Sequence, residues 1–436
     1  MKTTSNDILP EGFKMTELGA LPEEWKVVKL GEVADISSGG NAPQGDKYFN
    51  GDKPFVRVSH IDNQNYSVNK YDLINDNAIN DYRLKLFPKD TIIFPKSGAT
   101  VYLEKRAMLP IDAYVVSHLC TVISNKEEAI QHFLFYVLIS LKLAKEKADG
   151  YPTLNISEVK RIPIPLPPLP EQQKIAAALS AVQEAKEKTE AVIAATKALK
   201  KSMIKHLFTY GPVPPEETEN VPLKETEIGK VPEDWEVVKL GEVVREKITD
   251  GTHKTPQYIE NGIPFITITN LVNGKIDFSK CRFISEEEHN FLINRCKPEK
   301  DDVLLSKVGT LGLTAKICEK DNFSIFVQLA LIKPKKEIIN SDFLTYMLNS
   351  ISIQNQIEIK SSQSTMKYIG VEKISQLQIP LPPLPVQQKI ASILSAIDAK
   401  IEAEENKKKS LEKLFKTLLH NLMTAKIRVN HLEIKV

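Results

Sequence analysis

The sequence predicts an α+β protein in which two similar modules are joined by two long antiparallel helices that form a coiled coil. Three observations support this class: an internal duplication, a proline-rich motif that occurs once in each half, and a long proline-free run behind each motif. Two copies of one module within 436 residues also predict approximate two-fold symmetry between the halves.

The duplication is clearest at the start of each half. Leu18–Val33 (LGALPEEWKVVKLGEV) matches Ile228–Val243 (IGKVPEDWEVVKLGEV) at an offset of 210 residues, which aligns Trp25 with Trp235, the two tryptophans of the chain. A match of this length does not arise from composition. The chain therefore contains two copies of one module.

Short β-branched runs in each copy are separated by Gly, Asn and Asp turns, which predicts a strand-rich body. One helix follows the strands, near Ala129–Lys147 and again near Ser341–Ile359. The predicted organisation is an N-terminal arm (1–22), a first module (23–160), a proline rod with its helix (161–211), a linker (212–227), a second module (228–372), a second rod with its helix (373–428) and a tail (429–436).

The proline motif IPLPPLPEQQKI at Ile164–Ile175 recurs as IPLPPLPVQQKI at Ile379–Ile390. Proline fixes φ and moves the preceding residue out of the α region, so each motif predicts a stiff extended rod with a helix directly behind it. The motifs are offset by 215 residues rather than 210. The second copy therefore carries about five extra residues, which we place between Ser140 and Leu154 in the numbering of the first copy.

Apolar residues behind each motif alternate steps of three and four, which is the pattern of a coiled coil. Connectivity favours antiparallel pairing, and about 37 residues at roughly 1.5 Å each give a spacer on the order of 55 Å. The alternative is that each helix packs only on its own module. The predicted seam consists of Ile175, Val182, Val192, Leu199, Met203, Ile390, Ile397, Leu411, Leu414 and Leu418.

The composition excludes several classes of protein. Lys and Arg (58) nearly balance Asp and Glu (56), so any binding of nucleic acid needs local basic patches. Four cysteines without a CxxC pair indicate reduced, buried thiols. Without an apolar span or a signal core, we expect a cytoplasmic protein that does not contact membranes. Catalytic motifs are missing and the histidines are scattered, so we expect no catalytic residues, metal or cofactor in this chain.

Candidate nucleic-acid contacts lie in a basic segment of the first module and in glycine turns of both modules. Basic side chains neutralise phosphate, and a glycine turn lets backbone amides approach it closely. Lys96-Ser97-Gly98 in the first module has a counterpart in Lys307-Val308-Gly309. A solvated strand edge would show similar charges. The candidates are Arg83, Lys85, Lys96, Ser97, Gly98, Thr100, Tyr102, Lys105, Arg106, Thr252, His253, Lys254, Thr255, Lys307, Gly309 and Thr310.

The repeated IPLPPLP motifs, each followed by QQKI and a long helix, and the PEEW and PEDW entries before VVKLGEV resemble the specificity subunits of type I restriction-modification systems. The resemblance covers nearly the whole chain. It implies two target recognition domains that each bind one half of a bipartite site in double-stranded DNA. The two helices would act as a ruler between them.

The resemblance also implies partner subunits. Two modification subunits would bind S-adenosylmethionine and methylate adenine, and restriction subunits would translocate and cleave DNA. The helices and the Trp25 and Trp235 entries would dock the modification subunits. Two alternatives remain: a subunit of a related system whose nuclease and methyltransferase share one polypeptide, and a coiled-coil scaffold whose PLPPLP motifs bind proline-recognising domains of other proteins.

Overall fold

A computed structural model describes residues 9–62, 65–144, 153–318, 322–362 and 366–430. The chain divides into two compact units: residues 1–191 with 405–436 form the first unit, and residues 192–404 form the second. Both boundaries fall inside long helices, which span Leu169–Tyr210 and Leu384–Met423. Each unit therefore combines one module with a part of each long helix.

The first unit contains two four-stranded sheets. One is antiparallel and has the order Ala107–Met108, Ile92–Pro95, Leu119–Ser124 and Ala34–Ser38. The other has the order Asp72–Ile74, Lys53–Val56, Ala113–Val115 and Leu86–Phe87, and its middle pair is parallel. Two-stranded pairs are Phe13–Thr16 with Gly19–Pro22, Ile61–Asp62 with Ser67–Val68, and Lys26–Lys29 with Pro163–Leu166. The α-helices of this module are Leu30–Val33, Asp76–Tyr82, Gln131–Ser140 and Ile156–Lys160, and its 3₁₀ turns are Asp46–Tyr48, Val58–His60 and Ala99–Leu103.

The second unit repeats this plan. Its antiparallel sheet has the order Thr249–Asp250, Leu329–Ile332, Val303–Ser306 and Thr314–Lys316. A three-stranded sheet has the order Arg282–Ile284, Ile263–Ile266 and Ser324–Ile325. Two-stranded pairs are Leu223–Thr226 with Gly229–Pro232, Glu236–Lys239 with Gln378–Leu381, and Leu271–Val272 with Lys275–Ile276. Its α-helices are Glu286–Ile293, Ser341–Leu348, Ile351–Lys360 and Val371–Ser375, and its 3₁₀ turns are Pro215–Asn220, Leu240–Glu242, Ile268–Asn270 and Phe278–Lys280.

The helix behind the strands is shorter than predicted in both copies. In the first unit it ends at Ser140, and residues 145–147 of the predicted helix lie outside the described residues. In the second unit the Asn349 side chain donates a hydrogen bond to the Thr345 carbonyl oxygen (2.8 Å) and closes the helix at Leu348. A separate helix, Ile351–Lys360, follows in the second unit. Most of the matching stretch of the first unit, residues 145–152, lies outside the described residues. The extra residues of the second copy fall in this region.

The proline motifs do not form free rods. Pro163–Leu166 pairs with Lys26–Lys29, in a register that sets Ile164 opposite Val28 and Pro165 opposite Val27. Antiparallel strands alternate hydrogen-bonded and non-bonded pairs, so prolines at every second position leave the donors at Ile164 and Leu166 available. The sequence predicts extended backbone correctly, but the motif is fixed as an edge strand rather than by proline stiffness alone.

Both long helices contribute to the core of each unit. In the first unit, Ile175 and Leu179 share a hydrophobic core with Phe415 and Leu419, and Trp25 lies in the same core. The early part of the first helix thus meets the late part of the second. Glu190 and Lys408 form an ion pair there at 2.8 Å. This arrangement is antiparallel, as the connectivity predicts.

The second unit shows the complementary pairing. Leu207 packs in one core with Ile390, Leu394 and the module residue Phe343. Lys200 and Asp398 form an ion pair at 2.6 Å. The helices therefore pack on each other and on their modules at once, so the alternative in which each helix packs only on its own module is wrong. The predicted α+β class with paired antiparallel helices is confirmed.

Part of the predicted helix seam is wrong. Val192, Leu199 and Leu414 are 39%, 51% and 45% exposed. The buried stripe includes neighbouring positions instead, because each helix end faces a module as well as the other helix. Two predicted seam residues, Ile175 and Ile390, are buried, and the remaining five are partly buried: Val182, Met203, Ile397, Leu411 and Leu418. The buried positions outside the predicted seam include Leu179, Ile193, Leu207, Leu394, Ile401, Phe415, Leu419 and Leu422.

One buried glutamine in each motif fixes the long helix to its module. The Gln172 side chain accepts a hydrogen bond from the Ile130 amide (2.8 Å) and donates to the carbonyl oxygens of Glu128 (3.2 Å) and Pro167 (2.9 Å). Both Ile130 and Glu128 lie just before the module helix Gln131–Ser140. One amide thus joins the module helix to the proline motif.

Gln387 makes the same three contacts in the second unit. It accepts from the Asn340 amide (2.8 Å) and donates to the carbonyl oxygens of Ile338 (3.0 Å) and Pro382 (2.7 Å). Gln172 and Gln387 are both fully buried, whereas the adjacent Gln173 and Gln388 are exposed. Within each QQ pair, only the first residue performs this structural role.

The C-terminal end of the chain is tied to the first module by Arg428. Its guanidinium contacts both carboxylate oxygens of Glu171, at 2.6 and 2.8 Å, and one oxygen of Glu24 at 2.7 Å. Trp25 donates its indole N–H to the same Glu171 carboxylate (2.9 Å). The hydrogen bond from Arg428 lowers the pKa of Glu24. The corresponding motif residue in the second copy is Val386, so this clasp occurs only in the first unit.

We expect Gln172→Ala to lower the free energy of unfolding of the first unit by about 3 kcal/mol, because one buried amide hydrogen and two carbonyl oxygens lose their partner. Urea unfolding of the full chain in a Trp235→Phe background, followed by Trp25 emission, measures this change. The matched control is Gln173→Ala, which should shift stability by no more than about 0.5 kcal/mol. Equal effects of the two substitutions would contradict the assignment.

Arg428→Gln should destabilise the first unit by about 3 kcal/mol, since it leaves the buried Glu171 carboxylate without its cation. The same Trp25 emission reports the change, because the Arg428 guanidinium lies 5.9 Å from the centre of the Trp25 ring. Lys426→Gln removes an exposed cation two residues earlier and serves as the control. A clasp without structural effect would give both variants the wild-type urea midpoint.

Candidate nucleic-acid interface

The basic segment of the first module divides into exposed and interior residues. Arg83 and Lys85 are exposed, and Lys85 lies 5.3 Å from the centre of the Phe87 ring. Tyr102 is also exposed. Lys105 is half-buried, and its ammonium donates to the Ile61 carbonyl oxygen at 3.0 Å. The exposed members of the segment are available to a ligand.

Arg106 belongs to the interior. Its guanidinium lies over the Phe94 ring, donates to the Leu138 carbonyl oxygen (3.3 Å) and forms an ion pair with Glu104. Burial lowers the pKa of Arg106, against the opposing effect of Glu104. A side chain that is 2% exposed and already bonded to protein groups cannot reach DNA directly. The structure therefore removes Arg106 from the candidate contacts.

The two predicted Lys-x-Gly turns have the same backbone. Each turn follows a buried strand. The Lys96 amide donates a hydrogen bond to the His118 carbonyl oxygen (2.9 Å), and the Lys307 amide donates to the Gln328 carbonyl oxygen (2.8 Å). Gly98 and Gly309 adopt φ values of +82° and +79°, which favour glycine. The duplication therefore extends to the geometry of these turns.

The side chains of the two turns differ. Lys96 is half-buried and has no ion-pair partner among the residues that the structure describes. Next to it, the Ser97 hydroxyl lies 2.7 Å from His118 Nδ1, and the Thr100 hydroxyl donates to the Ser97 carbonyl oxygen (3.3 Å). Lys307 is 8% exposed and its ammonium lies 2.9 Å from Asp250. Lys307 is thus part of an internal ion pair, while Gly309 and Thr310 beyond it are exposed.

Asp250 connects three loops of the second module. Besides Lys307, its carboxylate contacts Arg295 Nη2 at 2.5 Å and His253 Nε2 at 3.3 Å. Burial opposes ionisation of Asp250, but the hydrogen bond and charge of Lys307, together with His253, outweigh it and lower the pKa. The structure therefore brings the two predicted turns of the second module, around His253 and Lys307, to one carboxylate.

The residues after Asp250 face solvent. His253, Lys254 and Thr255 are exposed, and Thr252 is half-buried. The Thr252 hydroxyl accepts a hydrogen bond from the Lys254 amide (3.2 Å) and donates to the Lys254 carbonyl oxygen (3.1 Å), which holds the turn in shape. This turn thus presents three polar or cationic side chains from a fixed backbone.

The matching turn of the first module has the same course. A Cβ atom at Gly39 would lie 1.9 Å from the Val115 carbonyl oxygen, and one at Gly251 would lie 2.0 Å from that of Ile325. Both glycines are therefore required by the close approach of a neighbouring strand. The residue before the glycine is Ser38 in the first module and Asp250 in the second. The two turns therefore follow the same backbone course but place a hydroxyl in the first module where the second module has a carboxylate.

Arg295 is the residue that the sequence analysis missed. It lies 45 residues beyond Asp250, just behind the helix Glu286–Ile293, in a segment without a recognisable motif. Its side chain is 58% exposed although one nitrogen contacts the buried Asp250. One signal was present: Arg83 lies just behind the corresponding helix, Asp76–Tyr82, of the first module.

The sequence also leads to expectations about metal sites, cysteine thiols and membrane-spanning helices. No group of three or more His, Cys, Asp or Glu side chains there is arranged to hold a metal ion. All four cysteines are free, but only Cys120 and Cys296 are buried; Cys318 is exposed, contrary to our expectation. Burial raises the pKa of the Cys120 thiol to about 12. Among the described residues, no helix has both the length and the apolar character needed to cross a membrane.

Comparison with known proteins assigns the family. Residues 22–195 and 232–413 match the model of the type I restriction modification DNA specificity domain. The type I restriction enzyme MjaVIII specificity subunit of Methanocaldococcus jannaschii is 30% identical over 443 residues, which cover 97% of this chain and 97% of that protein.

Two solved structures share the fold. The S subunit of a type I restriction-modification system from M. genitalium aligns with a TM-score of 0.59 at 18% identity, over 91% of this chain and 96% of that one. A chain from a structure concerned with complex assembly and conformational transition of the type I R-M system aligns with a TM-score of 0.55 at 23% identity, over 93% and 99%. With two matched domains that span most of its length, the chain belongs to the family of type I restriction-modification specificity subunits.

Proposed function

We propose that this chain is the non-catalytic, sequence-reading subunit of a cytoplasmic type I restriction-modification complex. Each module binds one half of a bipartite site in double-stranded DNA. The observation that carries this proposal is the pair of equivalent turns with different side chains. Ser38 and Lys96 in one module correspond to Asp250 and Lys307 in the other; Lys307 is paired with Asp250, whereas Lys96 has no ion-pair partner among the described residues. Shared backbone with divergent side chains suits two unlike half-sites.

Each module offers cationic and hydroxyl groups beside its turns. In the first module we assign phosphate and base contacts to Arg83, Lys85, Lys96 and the Ser97–Thr100 turn, with Tyr102 and Lys105 beside it. In the second module we assign them to the Thr252–Thr255 turn and to Gly309 and Thr310. Lys307 supports this surface through Asp250 instead of touching DNA.

The modification subunits dock, in this proposal, on the long helices. Val192, Leu199 and Leu414 expose apolar side chains on these helices, and a partner that covers them would remove apolar surface from water. The modification subunits supply S-adenosylmethionine and the methyl transfer to adenine, and restriction subunits complete the complex. Among the described residues, no cluster of His, Cys, Asp or Glu side chains is arranged to hold a metal ion.

A salt titration of the full chain, assembled with its modification subunits, on duplex DNA tests the proposed function. Because basic side chains release counterions from phosphate, binding should weaken linearly on a log–log plot, with a slope of roughly −0.9 for each neutralised phosphate. A duplex without the methylated site provides the control and should bind more weakly. A scaffold that binds only proteins would show no duplex binding at any salt concentration.

The ruler role of the helices yields a second prediction. Inserting seven residues into the first helix between Glu190 and Lys200, and seven into the second between Asp398 and Lys408, lengthens both helices by about two turns, roughly 10 Å. The preferred gap between the half-sites should grow by about three base pairs. Mapping methylated adenines on a random duplex library measures the gap.

Both half-site sequences should stay the same in the double insertion. The matched control carries the insertion in the first helix only, which breaks the facing register and should reduce methylation at every gap length. An unchanged gap in the double insertion would rule out the ruler.

A further inference from the structure

We infer that Arg295 is a specificity-determining residue of the second module and that Asp250 is its positioning residue. This inference rests on the proposed DNA-binding function and names the side chain that reads a base. Arg295 combines two properties: its guanidinium is exposed, and one of its nitrogens lies 2.5 Å from a buried carboxylate.

The anchor of Arg295 is rigid. The Asp250 side chain is 7% exposed, lies at the end of the strand Thr249–Asp250, and also binds Lys307, which is itself buried. A carboxylate fixed by a strand and by a buried ammonium cannot move with the arginine. The guanidinium plane of Arg295 is therefore restrained on one side.

The other nitrogens of Arg295 have no partner among the residues that the structure describes. A planar guanidinium with one restrained edge and one free edge matches the two acceptors of guanine, O6 and N7, in the major groove. Restraint before binding also reduces the side-chain entropy lost on contact. A mobile lysine offers neither the plane nor the restraint.

The charge balance around Asp250 favours an anionic ligand. Lys307 and Arg295 each carry a positive charge against the single charge of Asp250, and the exposed His253 lies on the same carboxylate. Lys254 follows on the exposed turn. DNA phosphates can therefore approach beside the base that Arg295 contacts.

The first module places an arginine at the equivalent position. Arg83 and Arg295 are separated by the same 212 residues as Gly39 and Gly251, and each follows the corresponding module helix. Arg83 is exposed and has no carboxylate anchor among the described residues, because Ser38 stands where the second module has Asp250. Both modules thus present a guanidinium at this position, but only that of Arg295 is held by a carboxylate among the described residues. The two half-sites would therefore be contacted by arginines of different mobility.

The test compares Arg295→Ala and Arg295→Lys in the full chain, assembled with its modification subunits, on duplexes randomised at every position of both half-sites. In both variants, discrimination at one base pair of one half-site should fall by about 5- to 150-fold, the range of a lost bidentate contact. The other half-site should keep its full specificity. Arg295→Lys keeps the charge, so binding to non-specific duplex should stay within about twofold of wild type.

Asp250→Asn should relax the same base pair, because it frees the arginine, and the unchanged reading of the other half-site shows that the chain is folded. Lys297→Ala removes an exposed cation two residues away and is the matched control, with discrimination retained. Full discrimination at all positions in Arg295→Ala would overturn the inference, as would a uniform loss of affinity that Arg295→Lys restores. Loss of duplex binding by the wild-type assembly would instead overturn the proposed function.

Discussion

The architecture depends on one buried amide in each half. Gln172 and Gln387 each join the backbone before a module helix to the backbone of a proline motif, with no exposure to solvent. A proline-rich segment has too few N–H groups to pair its own carbonyl oxygens, so a side chain with both a donor and an acceptor is well suited to this junction. Within each unit, this contact fixes the direction in which the long helix leaves the module.

The duplicated modules retain backbone contacts while the side chains that make them change. In the first module His60 accepts a hydrogen bond from the Arg57 amide through Nδ1 (3.1 Å), and in the second Asn270 accepts from the Thr267 amide through Oδ1 (3.0 Å). Imidazole and amide serve the same turn because each offers one acceptor at a similar reach. Divergence of this kind leaves the fold intact and lets the exposed turns vary.

The sequence predicts the features that local rules determine. The repeated Trp entries reveal the duplication, and the PLPPLP motifs mark where Leu169 and Leu384 begin the long helices. The shifted offset reveals that the second copy is about five residues longer before its proline motif. Proline geometry and repeat arithmetic act over short distances, so they can be read directly from the residues.

Features that depend on long-range packing could not be predicted in this way. A basic residue next to a glycine turn looks the same in sequence in both modules. Lys307 is paired internally with Asp250, whereas Lys96 has no ion-pair partner in the part of the chain that the structure describes. Arg106 gave no sign that Phe94 and Leu138 enclose it. Leu199 occupies a position that the heptad pattern assigns to the helix seam, yet its side chain is exposed, because the buried face of the helix is also determined by packing against a module. Only tertiary contacts separate these cases.

The division of the helices between the units also sets the order in which the molecule can be completed during synthesis. The second unit is continuous in sequence, from residue 192 to 404, whereas the first also requires residues 405–436. Phe415, Leu419, Leu422 and Met423 are therefore among the last large side chains added to a core that also contains Leu21 and Trp25. The N-terminal half emerges from the ribosome first and is finished last, with an apolar surface that stays uncovered while the whole second unit is made.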